Sequence, residues 1–266
     1  MIYAMSDIHG CIDQLEEMIR ITDLTGSNRI IFLGDYIDYG YDSGKVLRRI
    51  KQMQSESGDE KVIVLKGNHE AMFLEWIDDF SKDLTKEEKD LIYDTWLTTD
   101  GKYGYNTLKT LISRESLDRI KGIADLAGRN TEAVRLVKEE NRDLINWMKD
   151  MPLFYETDTQ IFIHAGVDEE AGEYWKWGSD ENMFLGKVPP SQGDFIKTVI
   201  AGHIGTSSIA KDRSFHDIYF DGKSHYYIDG SVYSHGQLNL LCYDETTGEY
   251  LQAAPGTAPK KITPYI

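Results

Sequence analysis

Asp7 and His9 stand one residue apart, directly before Gly10, where the apolar run Ile2-Tyr3-Ala4-Met5 ends. A carboxylate and an imidazole at that spacing face one side of an extended segment or turn, where they can share a cation. A lone Asp-x-His-Gly is also a capped turn from strand to helix, so the rest of the chain has to decide. Gly34-Asp35-Tyr36-Ile37-Asp38 sets two carboxylates after a second apolar run. Gly67-Asn68-His69-Glu70 sets a carboxamide and an imidazole after a third, and His164 and His203 close two more. Of seven histidines, four follow such runs. Each alone reads as a structural histidine. A joint set of Asp, His and Asn at strand ends is hard to explain by packing, because buried carboxylates need opposite charge. Two divalent cations would supply it. Oxygen and imidazole ligands without a thiolate suit manganese, with iron or zinc as alternatives, better than calcium or a copper–thiolate site. One carboxylate can bridge two ions about 3.5–4 Å apart, and such a pair acidifies a bridging water and orients a phosphoryl group for in-line attack.

The elements that must hold these residues are legible as short apolar runs. Arg29 to Leu33, Val62 to Leu65, Gln160 to Ile163, Thr198 to Ala201 and Tyr226 to Ile228 each read as a buried strand, as does Ile2 to Met5. Ile12, Leu15, Met18 and Ile19 have helical spacing, as do Val46, Leu47, Ile50 and Met53. Strand–helix alternation predicts a layered α/β fold, and polar residues at strand C-termini are where open α/β sheets place ligands. Gly10 permits a sharp turn into the first helix. Residues 71–152 read as a helical insertion, with apolar groups at Phe73, Leu74, Trp76 and Ile77, at Leu91, Ile92 and Trp96, and at Leu144, Ile145 and Trp147. That insertion either shapes substrate access or is structural. The tail after Ala253, with Pro255, Gly256, Pro259 and Pro264, reads as irregular.

The ordered set Asp7-Ile8-His9-Gly10, Gly34-Asp35-Tyr36-Ile37-Asp38, Gly67-Asn68-His69-Glu70, His164-Ala165-Gly166 and Gly202-His203 closely resembles the phosphoprotein phosphatases, the bacterial serine/threonine phosphatase-like branch of the calcineurin-like metallophosphoesterases. The resemblance runs from residue 5 to about residue 230. It implies a single metallophosphoesterase domain over 1–266, a β-sandwich flanked by helices. It also implies that Asp7, His9 and a bridging Asp35 hold one metal, and that Asp35, Asn68, His164 and His203 hold the other. His69 then takes the place of the general acid, with Asp38 fixing and charging its ring. Asp229, in Tyr227-Ile228-Asp229-Gly230, is either a residue supporting the ligands or a turn former. His216, His225 and His235 match no motif and read as ordinary surface or structural histidines.

The resemblance is incomplete at the substrate. Phosphatases of this family carry arginines that clamp phosphate, and here those positions hold Tyr39 and Lys66; the segment Trp177-Gly178-Ser179-Asp180 offers no third arginine. Lysine attracts phosphate as a point charge without the bidentate fork of arginine. Lys66, Tyr39 and Lys176 are the candidates to take over the task.

The 266 residues carry 45 acidic against 29 basic side chains, a net charge of −16. That excludes a general nucleic-acid binder, which needs a basic footprint. No stretch approaches the roughly 20 apolar residues that span a bilayer. No secretory leader is read at the N-terminus, and Cys11 and Cys242 make no disulfide framework; a cytoplasmic, membrane-free protein is expected. The expected activity is hydrolysis of a phosphomonoester on a protein or small molecule. The alternatives are hydrolysis of dinucleoside polyphosphates, with Tyr174, Trp175 and Trp177 available to stack on a base, and a non-catalytic phosphate-binding relative.

Overall fold

The computed structural model describes residues 1–92, 96–97 and 105–265, so the stretches 93–95 and 98–104 of the expected helical insertion lie outside it. Strand alternation organises what is described. In β1 (Ile2–Met5), β2 (Arg29–Phe32) and β3 (Val62–Val64), Ile2, Ala4, Ile31 and Ile63 point to one face, joined by Leu33 and Leu65 just beyond the strands; Tyr3, Met5, Ile30, Phe32, Val62 and Val64 point to the other. A period of two demands this sorting, and it gives the sheet two buried faces.

The first face packs on a second sheet. β4 (Phe154–Glu156), β5 (Gln160–Ile163), β6 (Thr198–Ala201), β7 (Tyr219–Phe220) and β8 (His225–Tyr227) pair in the order β4-β5-β6-β8-β7. Phe162, Ile200, Tyr226 and Ile228 meet Ile2, Ala4 and Ile31 in the shared core. β9 (Leu240–Asp244), β10 (Glu249–Ala253) and β11 (Lys260–Lys261) complete the first sheet in the order β11-β10-β9-β1-β2-β3. The result is a β-sandwich flanked by helices, as the family resemblance implies. The tail differs from expectation: Lys260 and Lys261 pair antiparallel with Gln252 and Leu251, and Ile262 is buried. One buried isoleucine anchors a short edge strand despite the surrounding prolines.

Helices cover the outer faces. α1 (Ile12–Arg20) buries Leu15 and Met18, and α2 (Ser43–Ser57) buries Val46, Leu47, Ile50 and Met53, all against Tyr3, Met5, Ile30 and Phe32. Gly10, at φ +68°, turns the chain toward α1. Between β3 and β4 come α3 (Asn68–Ser81), α4 (Lys86–Lys89), α5 (Tyr105–Leu111), α6 (Arg114–Lys121), α7 (Leu126–Glu140) and α8 (Arg142–Lys149). Phe73, Trp76, Trp96, Leu108, Val137 and Met148 join these helices to the same core as β1 and β2. On the second sheet lie α9 (Trp175–Gly178), α10 (Glu181–Gly186) and α11 (Thr206–Ala210). No helix among the described residues is long and apolar enough to cross a membrane.

β1, β2 and β3 run parallel in one sheet, β5, β6 and β8 in the other. Right after these six strand ends come Asp7, Asp35, Asn68, His164, His203 and Asp229.

Candidate metal centre

Beyond the strand ends the main chain keeps pairing. Asp7 N–H donates to the Gly34 carbonyl (3.1 Å), His9 N–H to Asp35 (3.0 Å) and Gly10 N–H to Tyr36 (2.8 Å). Of the extended segment or turn expected at Asp7 and His9, the backbone takes the turn. Asp7, His9, Asp35, Asp38, Tyr39 and His203 all have positive φ, between 45° and 72°. For side chains bearing a Cβ this left-handed region costs roughly 1–3 kcal/mol each and persists only where the surroundings enforce it.

One enforcing residue is Glu70, which is fully buried. Its carboxylate accepts N–H bonds from Asp35 (2.9 Å), Tyr36 (2.8 Å) and Gly67 (3.0 Å), lashing the second loop to the third. Burial, then the charge of Asp35, raises its pKa to about 7. Gly34 is another: at φ +109°, a Cβ there would lie 2.5 Å from the Gly67 backbone and 2.9 Å from Nδ1 of His164. The loops therefore close to a distance that only a residue without a side chain allows.

Asp35 sits at the centre. Its Oδ2 is 3.6 Å from Nε2 of His9 and 3.8 Å from Nε2 of His69; its Oδ1 is 3.5 Å from Nε2 of His164. His9, Asp35 and His69 form one group able to hold a cation, and Asp35, His164 and His203 a second, each with ligand atoms within 4.8 Å of one another. Asp35 belongs to both. Asn68 joins the second group, its Oδ1 lying 2.8 Å from Nε2 of His164 and 3.0 Å from Nδ1 of His203. Asp7 stands outside both groups, its carboxylate accepting the N–H of His203 (3.0 Å).

The four histidines divide by environment. Nδ1 of His9 is bound to the Ile37 carbonyl (2.8 Å) and Nδ1 of His164 to the Leu33 carbonyl (3.0 Å). A carbonyl partner fixes the neutral tautomer whose Nε2 carries a lone pair. Burial lowers the pKa of His9 and His203, and that of His164 to about 4. His69 differs: its Nδ1 meets the Asp38 carboxylate at 2.7 Å. Burial alone would lower its pKa, yet Asp35 and Asp38 raise it to about 9.

The carboxylates are in tension. Burial, followed by the like charges of Asp229 and Asp35, pushes Asp7 well above the usual range, and burial pushes Asp229 to about 6. Asp35 goes the other way: burial opposes its charge, but His164, His69 and His9 hold it well below. Three buried carboxylates, three neutral imidazoles and a carboxamide fit divalent cations, which compensate the charge and accept each lone pair.

Several expected substrate contacts fall elsewhere. Lys66 donates to the Lys149 carbonyl (3.3 Å) on the groove beside Glu75 and Asp78. Lys176 is ion-paired to Glu156. Trp175 is buried in the second sheet's outer core, while Tyr174 and Trp177 are exposed. Tyr39 does reach the site, edge-on to His9 with centroids 4.8 Å apart. It stacks on Tyr233 at 4.3 Å, and Tyr233 also meets His9 edge-on (5.0 Å). Tyr233 had no signal beyond lying four residues after Asp229. Asp229 does act as a turn former, accepting the Ser231 N–H (2.7 Å) while facing Asp7. His216 bonds the Gly230 carbonyl (3.1 Å) and His235 is exposed. His225 is structural and wholly buried, held between Asp221 (2.8 Å) and Glu169 (3.1 Å).

A family model described as calcineurin-like phosphoesterase matches residues 1–206. The chain is 37% identical over 169 residues to a protein of Wigglesworthia glossinidia brevipalpis named bis(5'-nucleosyl)-tetraphosphatase, symmetrical, across 62% of this chain and 44% of that one. It is 31% identical over 102 residues to a protein of the same name from Chromobacterium violaceum, across 38% of this chain and 34% of that one. The matches thus span less than half the length of these curated relatives. Among solved structures, a cold-active protein-tyrosine phosphatase of a psychrophilic Shewanella superposes with a TM-score of 0.57 over 98% of this chain and 80% of that one. At 15% identity that is a likeness of fold.

Proposed function

This chain belongs to the calcineurin-like phosphoesterase family, and we propose that it is a metal-dependent phosphomonoesterase whose leaving oxygen is protonated by His69. The observation that carries this reading is the Asp38–His69 pair, 2.7 Å apart, whose imidazole faces the carboxylate shared by both ligand groups.

Asp35, His9 and Asp7 would hold one cation, and Asp35, Asn68, His164 and His203 the other. When bound, divalent cations lower the pKa of water and polarise phosphoryl oxygens. The protein's own part is orientation and proton supply. Burial keeps the His9 and His164 rings neutral, and their carbonyl partners hold the ring proton on Nδ1, leaving Nε2 turned toward Asp35. The Asp38 carboxylate keeps a proton on Nδ1 of His69 and favours the imidazolium, leaving Nε2–H to donate to the departing oxygen. Tyr39 and Tyr233 form an aromatic wall beside that proton. No arginine fork is needed if the phosphoryl group relies on the cations.

A built acid favours a poor leaving group. An alkoxide must be protonated as it departs, whereas a nucleotide leaves as a stable anion, so general acid catalysis matters most for alkyl esters. Hydrolysis of a dinucleoside polyphosphate is the second reading, favoured by the name of the two curated relatives. Manganese is the first choice of cation, with iron or zinc as alternatives.

The test is a rate comparison with the manganese-loaded chain on a phosphoserine peptide, p-nitrophenyl phosphate and diadenosine tetraphosphate. Turnover of the first two above the third is expected. Turnover of the tetraphosphate alone would transfer the assignment to the second reading, and turnover of none would remove it.

A further inference from the structure

The carboxylate that holds His69 is itself held from an unexpected quarter. Asp38 is wholly buried. Its Oδ2 meets His69, and its Oδ1 accepts two further bonds, from the indole Nε1–H of Trp96 (2.8 Å) and the hydroxyl of Thr107 (2.6 Å). The same Thr107 hydroxyl accepts the N–H of Asp38 (2.9 Å) and lies 3.0 Å from the Ser43 hydroxyl, which also takes that N–H (3.1 Å). Trp96 and Thr107 both come from the segment between β3 and β4, and both are buried.

Two donors on Oδ1 leave the carboxylate one orientation, with Oδ2 against Nδ1 of His69. The donors are fixed in turn. The Trp96 ring packs against Phe73 (5.2 Å between centroids) and Trp76 (5.6 Å), both on the helix that begins at Asn68 and His69. Thr107 is fixed by α5, which docks on α2 where Thr110 accepts the Gly44 N–H (2.9 Å). One packed unit thus carries His69, its carboxylate and the two donors. Misplacing a proton donor by about 1 Å can cost on the order of 10²-fold in rate.

We propose that Trp96 and Thr107 are positioning residues for the acid: they orient Asp38, and through it His69, and so make the helical segment part of the catalytic apparatus. The inference rests on His69 being the acid. A positioning role predicts a loss that grows with the basicity of the leaving group, which a merely structural role does not.

The experiment compares manganese-loaded Thr107→Val, Thr107→Ser, Trp96→Phe and His69→Ala with the parent, on an alkyl phosphate and on p-nitrophenyl phosphate, with metal content measured alongside. Thr107→Val and Trp96→Phe should lose about 10- to 100-fold on the alkyl ester, a share of the 10²–10⁴ a general acid supplies. They should lose far less on the nitrophenyl ester and keep their metal, and Thr107→Ser should recover most of the loss. In nuclear magnetic resonance of the zinc-loaded chain, whose ions are diamagnetic, the indole N–H signal that vanishes in Trp96→Phe should move in Asp38→Asn. Equal losses on both esters in Thr107→Val and Trp96→Phe, beside a selective loss in His69→Ala, would overturn the positioning role alone. An unselective loss in His69→Ala would overturn the acid itself and this inference with it.

Discussion

Asp38 reaches His69 across 31 positions of sequence to set an Oδ2–Nδ1 contact of 2.7 Å, and it does so from a loop whose backbone is left-handed at Asp38 itself. The contact separates His69 from the three other site histidines, whose ring hydrogen bonds go to carbonyl or carboxamide oxygens. His69→Ala is therefore expected to keep both metal ions and to lose about 10²–10⁴-fold in kcat on an alkyl phosphate. Elemental analysis beside steady-state kinetics checks this; an ion lost with the ring would make His69 a ligand instead.

Asp35 offers one oxygen to each ligand group. Asp35→Ala should bind neither ion tightly, and calorimetric titration with manganese should show the heat of both events vanish. Loss of one event with the other intact would break the assignment of Asp35 as a bridge.

Glu70 is assigned to neither ligand group, yet it accepts N–H bonds from Asp35, Tyr36 and Gly67. An unsatisfied buried donor costs about 1–3 kcal/mol. Glu70→Ala should lower the melting temperature markedly and weaken metal binding in parallel, while Glu70→Gln, which keeps one acceptor oxygen, should lose less. Equal melting temperatures for Glu70→Ala and the parent would refute this clasp.

His225 gives the fold a pH signature separate from the metal centre. Burial disfavours its charge, but Glu169 and Asp221 raise its pKa above 6.5; both carboxylates are in turn shifted below their ordinary 4.5 and 3.8, with His225 among the causes. A raised histidine contributes stability that is complete below pH 6.5 and fades as pH climbs through the folded pKa. Depressed carboxylates contribute stability above pH 4.5 that fades as pH falls. The clamp is strongest between pH 4.5 and 6.5. Urea midpoints should fall on leaving that window in the parent and change less in His225→Gln; parallel profiles would dismiss the clamp.

The sheet ends were readable because each ligand follows a short apolar run. Strands buried on both faces are continuous in apolar residues, and the polar residue that interrupts them marks the rim. Parts of the second sheet were less visible. Tyr219–Phe220 and Phe154–Glu156 are two and three residues long, too short to show a period, and they exist through pairing with Tyr226–Tyr227 and Ile161–Ile163. The place of the Lys66 side chain is not legible either, since adjacency to Gly67 does not reveal that its ammonium bonds the Lys149 carbonyl. Thr107 and Tyr233 were illegible for a related reason. A hydroxyl 69 positions from Asp38 and a ring 194 positions from Tyr39 become neighbours only through tertiary packing.

The left-handed backbone at Asp7, His9, Asp35, Asp38 and His203 sets two selection pressures against each other. Glycine would rest in those conformations without strain, and glycine has no donor atom to offer. Drift toward a more comfortable chain at these positions is therefore drift away from chemistry. A lineage that abandoned hydrolysis would find sturdier sequences one substitution away, while one that keeps it must go on tolerating an uneasy rim.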